Sequence, residues 1–266
     1  EKGSDGLIEG LLTDDIQYAN GLANRAFEGN SQHTRAFIFI PPQNNAPGYY
    51  VLIDNVENTD QSINLALHPA SANVVITRPN EEYSWNVKSR KETDTFLTLY
   101  LATKPQSVEL KDGVFAGWGK CFVGKYLYAT YQSVPIITVL FPHNASHHKA
   151  TMTRTDNGVT IQHHPNITDT ATHNSILRQI DQQHEFYFAK QSTHFQDGNI
   201  GFTANEPITL FMRGKTGHVV SPGTNITFHH PNVTQVTIDG EKFVTESVLN
   251  GIRVTVPQGT CKIELG

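Results

Sequence analysis

Short apolar runs alternate with polar turn residues along almost the whole chain. Several of the runs have the period of two that places apolar side chains on one face of a sheet. We predict strands at Ala36–Ile40, Tyr49–Asp54, Ile63–His68, Ala72–Thr77, Phe96–Ala102, Pro135–Phe141, Val159–His163, Glu185–Ala189, Ile208–Arg213, Val233–Ile238, Phe243–Glu246, Ile252–Val256 and Cys261–Leu265. This pattern is typical of antiparallel sheets with short connections, so we expect an all-β fold, a sandwich or barrel of many strands.

Turn residues between these runs predict hairpins. Asp-Gly and Asn-Gly pairs supply the positive backbone φ that tight hairpin turns require. We expect hairpins at Asp112-Gly113, Asp156-Asn157-Gly158, Asp197-Gly198 and Asp239-Gly240. Residues 14–27 and 172–183 have some helical character, but neither segment has a sustained helical apolar stripe. We therefore predict no helix.

The apolar rhythm is interrupted near Gly214 to Thr224, where Gly, Ser, Pro and Thr replace the alternating residues. A compact set of short strands then follows. We place a boundary there, with a large antiparallel β-sandwich over residues 1–213 and a small β subdomain over residues 214–266.

Length and charge narrow the classes of function. The chain has 266 residues, enough to bury a substantial core without disulfides or metals. The chain has 20 Lys and Arg residues against 25 Asp and Glu residues, and its basic residues form no stripe along the sequence. Nucleic acid is therefore not an expected partner. The longest apolar runs are of strand length, so no membrane span is expected.

Two cysteines, Cys121 and Cys261, exclude a four-thiolate metal site. We expect separate buried thiols, with a disulfide as the alternative. The chain opens on Glu1 with no visible secretory signal, and we interpret it as processed, truncated or expressed as a piece. Glycosylation sequons fit an extracytoplasmic surface, secreted or periplasmic, without establishing glycosylation; they lie at Asn144, Asn166, Asn225 and Asn232.

The 13 histidines invite a metal or acid/base interpretation. Most of their spacings argue against chelation, since neighbours on a strand point to opposite faces. The adjacent pairs are His147-His148, His163-His164 and His229-His230. His143 and His147 have helical chelating spacing, but the intervening residues predict a loop.

His68 and Trp118 are the two single residues with a candidate functional role. His68 ends an alternating run before Pro69, so a sheet could aim it into a cleft, although a satisfied polar residue at a sheet rim is the more common case. Trp118 lies between two glycines and could stack on a sugar, or fold back over the core edge. The sequence has no Gly-x-Ser-x-Gly elbow, phosphate loop, Rossmann glycine pattern or EF-hand.

Ordered motifs resemble a known family. They are Tyr18-x-x-Gly21-x-Ala23-x-x-Ala26-Phe27, Arg35-Ala-Phe-Ile-Phe, Tyr49-Tyr50-Val-Leu-Ile-Asp54 and Leu67-His68-Pro69. Together they resemble the C-terminal β-sandwich portion of heparinase II/III-type polysaccharide lyases. The similarity continues more loosely through residues 135–142 and 181–188 to Gly223-Thr224 and Pro257-x-Gly259, so it covers most of the chain in order.

The resemblance implies β-elimination on a uronic-acid polysaccharide, in which a base removes the proton beside the carboxylate and an acid protonates the leaving oxygen. In that family a helical toroid supplies the catalytic Tyr and His. Because this chain has no toroid, the resemblance implies that it is inactive alone. The expected partners are an acidic polysaccharide or oligosaccharide and a helical toroid domain or subunit.

The resemblance also bears on a metal. In several members a zinc-type site uses a His-x-His and an Asp upstream of the segment matching Tyr18 to Phe27, plus a His in the strand matching Ile63–His68. His68 would be the downstream ligand, and the upstream ligands are absent. We therefore expect no cofactor in the isolated chain, and zinc only in a complete enzyme.

Two other functions compete with this hypothesis. One is a stand-alone carbohydrate-binding or adhesin-like module. The other is a mutarotase-like sugar enzyme on the same supersandwich-like fold, which requires a His and a carboxylate on one concave sheet. Glu185 and Glu206 are available carboxylates, but the sequence pairs neither with a particular His. The net charge of -5 mildly disfavours densely sulfated heparin as the polysaccharide.

Overall fold

The computed structural model describes residues 6–24, 31–69, 71, 73–86, 95–117, 120–144 and 150–266, with the side chains of 115–117, 120 and 122 left out. The regular secondary structure in these ranges consists of β-strands, and the paired strands run antiparallel. The prediction of an all-β fold is confirmed. The chain divides into two compact units, Glu1–His163 and His164–Gly266.

The first unit contains an eight-stranded and a three-stranded sheet. Its strands are β1 (Gly6–Leu12), β2 (Gln17–Ala23), β3 (Gln32–Ile40), β4 (Tyr49–Glu57), β5 (Ile63–Leu67), β6 (Val74–Arg78), β7 (Glu82–Asn86), β8 (Thr95–Leu101), β9 (Ser107–Gly117), β10 (Lys120–Tyr131), β11 (Ile136–Asn144), β12 (Thr151–Thr155) and β13 (Gly158–His164). The larger sheet has the order β1-β2-β3-β4-β11-β8-β7-β6, and the smaller has the order β5-β10-β9.

The two sheets pack face to face as a β-sandwich. Trp85 on β7 and Leu99 on β8 join Leu127 and Tyr131 on β10 in one buried apolar cluster. Among the described residues, this cluster takes its members from the β6–β8, β11 and β5-β10-β9 strands and none from β1 to β3. On the β1–β3 part of the same sheet face, Phe37 and Leu12 are 42% and 80% exposed.

The β12–β13 hairpin is also bonded to the eight-stranded sheet. Arg154 on β12 donates to the carbonyl oxygens of Leu101 (2.7 Å) and Ala102 (2.8 Å). Arg78 donates in return to the carbonyl oxygen of Met152 (2.8 Å). These bonds satisfy backbone acceptors at the hairpin and fix its position on the sheet.

The second unit is built on one antiparallel sheet. Its strands are β14 (Ile167–Thr172), β15 (Ser175–Ile180), β16 (Gln183–Asp197), β17 (Ile200–Arg213), β18 (Thr216–His229), β19 (Val236–Ile238), β20 (Glu241–Lys242), β21 (Thr245–Val248) and β22 (Gly251–Leu265). The order is β14-β15-β16-β17-β18-β22-β19-β20, and β21 pairs with β22. Phe202, Leu210, Phe228 and Ile263 belong to its buried core.

The structure divides the chain at residue 163 and not at the expected boundary of 213/214. Residues 1–213 and 214–266 are separated by a tight turn, because Arg213 on β17 pairs directly with Thr216 on β18. Gly214 has a φ of 54° in that turn. The change in composition near Gly214 thus begins at a hairpin turn, and β18 continues through the polar residues to His229.

Three of the four predicted hairpins are confirmed. Asp156-Asn157, Gly198-Asn199 and Asp239-Gly240 connect paired strands. The prediction at Asp112-Gly113 is wrong, because β9 runs through it. Asp112 lies opposite Lys125 on β10, and the Lys125 Nζ donates to its carboxylate at 2.7 Å.

Both cysteines are free, so no disulfide forms. Cys261 is buried as expected, whereas Cys121 is exposed on β10, which corrects the expectation that both would be buried. No helix in the described part of the chain has the length and apolar character to cross a membrane.

Candidate functional site

Three aromatic side chains form a partly exposed patch on β3 and β4, which we call the aromatic platform: Phe37, Phe39 and Tyr50. The ring centroids of Phe39 and Tyr50 are 4.6 Å apart with an interplanar angle of 22°, and those of Phe37 and Tyr50 are 5.2 Å apart. Phe37 is 42% exposed. Such an arrangement presents a broad apolar surface to solvent at a fixed position on a sheet.

The alternation of β3 explains the platform. Ala36 and Ile38 are buried on one face of the strand. The odd-numbered residues point to the other face, where Phe39 lies opposite Tyr50 and Arg35 lies opposite Asp54. The aromatic platform and the charged pair consequently share one face of the sheet.

A charged cluster adjoins the aromatic platform on the same strands. The Arg35 guanidinium donates through Nε to Asp54 Oδ1 (2.7 Å) and through Nη2 to Oδ2 (3.2 Å). His33 Nε2 is 2.6 Å from the same Oδ1. The Asp54 side chain is only 3% exposed, whereas that of Arg35 is 43% exposed. The cluster therefore shows mainly its guanidinium to solvent.

The environment of Asp54 keeps it ionised. Burial alone raises the pKa of its carboxyl, but the hydrogen bonds with His33 and Arg35 and their charges outweigh burial. The pKa of Asp54 consequently lies below its ordinary value of 3.8. A guanidinium has more N–H donors than the bonds to Asp54 use, so Arg35 retains donors for a ligand.

Small residues flank this surface on β1 and β2. Ala19 lies opposite Phe37, and Gly21 lies opposite Arg35. Gly10 follows beside Ala19 on β1. A Cβ added at Gly10 would meet one atom within 4 Å, a backbone oxygen at 3.4 Å. The surface beside the aromatic platform therefore has no large side chains at these positions, and an extended polymer can lie across it.

His68 lies directly after β5, one residue beyond the end of the strand, and is exposed. Its ring stacks on Tyr126 of β10, with centroids 4.6 Å apart and an interplanar angle of 15°. Within the described ranges no group of three or more His, Cys, Asp or Glu side chains could hold a metal ion. These residues do not fit the zinc site that the family resemblance implies.

Some of the other candidates from the sequence lie within the described residues and some do not. Trp118 and His147-His148 lie outside the described residues. His143 bonds through Nε2 to Thr98 Oγ1 at 2.9 Å, and His163 is buried at 1% exposure. The carboxylate of Glu185 is 3.6 Å from the Arg213 guanidinium.

Sequence reasoning missed the aromatic platform and its charged neighbours. The segment Arg35-Ala-Phe-Ile-Phe carried a signal that could have found them, because its large aromatic residues alternate with small and aliphatic ones. If the aliphatic residues enter the core, the aromatic residues must face the other side. The sequence did not show that this other side is partly open to solvent.

No protein-family model matches the chain, and a search of curated proteins finds no significant match.

Proposed function

We propose that the chain binds a uronic-acid polysaccharide as the β-sandwich portion of a polysaccharide lyase resembling heparinase II/III. The observation that carries this proposal is the aromatic platform beside the exposed guanidinium of Arg35. An aromatic ring packs against the apolar C–H face of a sugar, and a guanidinium binds the sugar's carboxylate through paired hydrogen bonds. A uronate residue has both features.

The geometry suits a polymer better than a small molecule. Arg35 and Phe37 are two residues apart on one face of β3, about 7 Å along the strand. The low surface over Ala19 and Gly10 extends from Phe37 towards the β1 edge, where Leu12 is 80% exposed. A chain molecule can therefore contact the aromatic platform and Arg35 while its ends continue into solvent.

The β-elimination chemistry belongs to the helical partner in this proposal. The sandwich contributes binding of the polymer, with Arg35 holding a carboxylate and the aromatic platform orienting a sugar ring. Binding energy gained at a distance from the reacting bond can position the polymer in a catalytic cleft. The stand-alone carbohydrate-binding module is the second candidate, and the partial exposure of Phe37 in the isolated chain favours it equally.

Binding of acidic polymers tests the proposal. The isolated chain is titrated with alginate, hyaluronan and heparan sulfate, with neutral dextran as the comparison polymer. We expect at least one uronate polymer to bind, and Phe37→Ala and Arg35→Gln to weaken that binding by about tenfold each. Added salt should weaken the binding that depends on Arg35.

Matched variants on the second unit serve as controls. Leu249→Ala removes an apolar side chain that is 89% exposed, and Arg253→Gln removes a guanidinium that pairs with Glu246 at 3.3 Å. Both should bind the acidic polymer like the unaltered chain. Equal loss in control and site variants, or no uronate binding at all, would contradict the proposal. A helical catalytic chain that co-purifies with this one would favour the lyase over the stand-alone module.

A further inference from the structure

Three loops meet at one end of the second unit's sheet and enclose a cleft of about 550 Å3. They are the β16–β17 turn at Gly198-Asn199, the β18–β19 connection and the β21–β22 turn at Leu249-Asn250. The strand register brings them together, because Gly201 lies opposite His229, and Phe228 lies opposite Ile252. We call this space the loop cleft.

The lining of the loop cleft is polar but carries no Asp, Glu, Lys or Arg. It consists of Gln196, Gly198, Asn199, His229, His230, Pro231, Asn232, Val233, Asn250 and Gly251. Carboxamides thus dominate its chemistry. Each carboxamide offers both N–H donors and a carbonyl acceptor on one side chain.

The two histidines have different roles there. His229 Nδ1 is 3.1 Å from the Asn250 carbonyl oxygen, so this nitrogen must donate, and its Nε2 is 3.4 Å from Thr203 Oγ1. His229 therefore ties the β21–β22 turn to β18 and β17. His230 Nδ1 donates to the Pro231 carbonyl oxygen at 3.2 Å, which leaves its Nε2 as an acceptor.

The backbone fixes the shape of the loop cleft. Asn232 and Asn250 have φ values of 58° and 61°, a left-handed conformation that asparagine tolerates better than most residues. Gly251 must be glycine, because a Cβ there would lie 2.6 Å from the Phe228 carbonyl oxygen. These constraints fix the backbone from which the carboxamides of Asn232 and Asn250 project.

We propose that the loop cleft binds an uncharged saccharide. A sugar hydroxyl both donates and accepts hydrogen bonds, and the carboxamides of Asn199, Asn232 and Asn250 meet both demands. Those three side chains make no hydrogen bond to the protein in this fully described unit, so their donors and acceptors remain for a ligand. The lining residues include no Lys or Arg to offset the lost hydration of an ionised carboxylate or sulfate, and the ammonium of Lys215, outside the lining, is held by the Asn232 carbonyl oxygen at 3.4 Å.

This site goes beyond the proposed function and uses opposite chemistry. The aromatic platform lies in the first unit beside a guanidinium and selects an acidic sugar. The loop cleft lies in the second unit and selects against one. Its size is within the range of small-molecule sites, which suits a short segment or an end of a saccharide chain.

Nuclear magnetic resonance can test the site without a variant. The 15N-labelled chain is titrated at millimolar concentration with cellotetraose, xylotetraose and mannotetraose, and separately with a hyaluronan tetrasaccharide. We expect at least one neutral tetrasaccharide to shift the side-chain amide signals of Asn199, Asn232 and Asn250. The acidic tetrasaccharide should leave these signals in place and shift those near Arg35.

A double variant then tests the roles of individual groups. Asn199→Ala with His230→Ala should weaken binding of the neutral tetrasaccharide by about tenfold or more. Gln258→Ala removes an exposed carboxamide from the middle of β22, away from Gly251 and the loop cleft at the start of that strand. It should leave binding of the neutral tetrasaccharide unchanged. The loop-cleft proposal is overturned if no neutral probe shifts the three amides, or if the acidic probe shifts them more strongly. Either result leaves the signals near Arg35 as a separate test of the proposed function.

Discussion

Arg178 and Asp169 face each other across β14 and β15 and form a two-point ion pair that is completely buried. Arg178 Nε is 2.7 Å from Asp169 Oδ1, and Nη2 is 2.6 Å from Oδ2. Both side chains are 0% exposed, and the guanidinium lies 5.1 Å from the centre of the Phe186 ring. Such a pair is costly to bury but far more costly to break, because the remaining buried charge then loses the counter-charge bonded to it at two points.

Asp169→Ala should accordingly destabilise the protein by about 3 to 5 kcal/mol. Urea unfolding followed by circular dichroism measures the loss. The control is Glu264→Ala, which removes the partner of Lys262 in an exposed pair at 2.7 Å. The control should cost about 1 kcal/mol or less. Similar losses in the two variants would show that burial does not set the strength of the Asp169 pair.

Stability should fall in acid because of Asp54. A carboxyl whose pKa is lower in the folded state stabilises the fold above its unfolded pKa, here near 3.8. That contribution is lost as the pH falls from this value through the lower folded pKa. Asp54→Asn should therefore be less stable than the unaltered chain at pH 7, and the gap should narrow below about pH 4. Urea midpoints between neutral and acidic pH measure it, and a constant gap would argue against the assignment.

Gly217 permits a close approach between β18 and β17. A Cβ at this position would lie 2.0 Å from the carbonyl oxygen of Phe211 and 2.5 Å from the Met212 sulfur. Gly217→Ala should cost more than about 2 kcal/mol. Gly214→Ala, in the adjoining turn, meets no atom within 4 Å and should cost about 1 kcal/mol from its positive φ alone. Thermal unfolding of both variants separates contact from conformation, and equal losses would refute the contact.

His68→Ala should change stability by about 1 kcal/mol or less, because the His68 ring is exposed and buries little apolar surface against Tyr126. The isolated chain should bind zinc weakly or not at all. Elemental analysis and the melting temperature with and without zinc measure both properties. Stoichiometric tight zinc, or a large loss of stability, would show that His68 has a structural role.

The isolated chain should release no unsaturated uronate from alginate, heparan, chondroitin or hyaluronan. The family resemblance puts the proton-transferring Tyr and His on a helical toroid, and the described residues of this chain form strands and no helix. Ultraviolet absorbance of the unsaturated product is the assay, with an active lyase as the positive control. Robust turnover by the isolated chain would contradict the prediction and direct attention to its own histidines.

Period-two alternation of apolar and polar residues predicted most strands, because a strand that buries one face places every second side chain in the core. Local turn chemistry was less reliable. Asp112-Gly113 has a hairpin sequence, yet the bond between Asp112 and Lys125 belongs to a continuous ladder. Likewise, the two predicted strands 252–256 and 261–265 are one strand, β22, in which Gly259 has a φ of 120°. Pairing with a long neighbour overrode the local signal in both places.

The candidate sites were harder to predict than the fold. The sequence showed that Phe37 and Phe39 share a face, but their exposure depends on how far the second sheet extends over β1 to β3. The loop cleft joins Asn199, His230 and Asn250 through strand register alone. The argument that strand neighbours point to opposite faces does not apply fully to His229-His230, because His230 lies just beyond the end of β18, and both residues line the same cleft.

The pairing of β4 with β11 has a consequence for how the first unit folds. Tyr50 and Ile53 lie opposite Leu140 and Ile137, although most of the first unit's chain separates them. Closing so long a loop is entropically costly and slows folding, whereas the β1–β4 meander needs only consecutive hairpins. We expect the strands that carry the aromatic platform to assemble early and the seam with β11 to close late. The face that carries the aromatic platform would then form before the core beside it is complete.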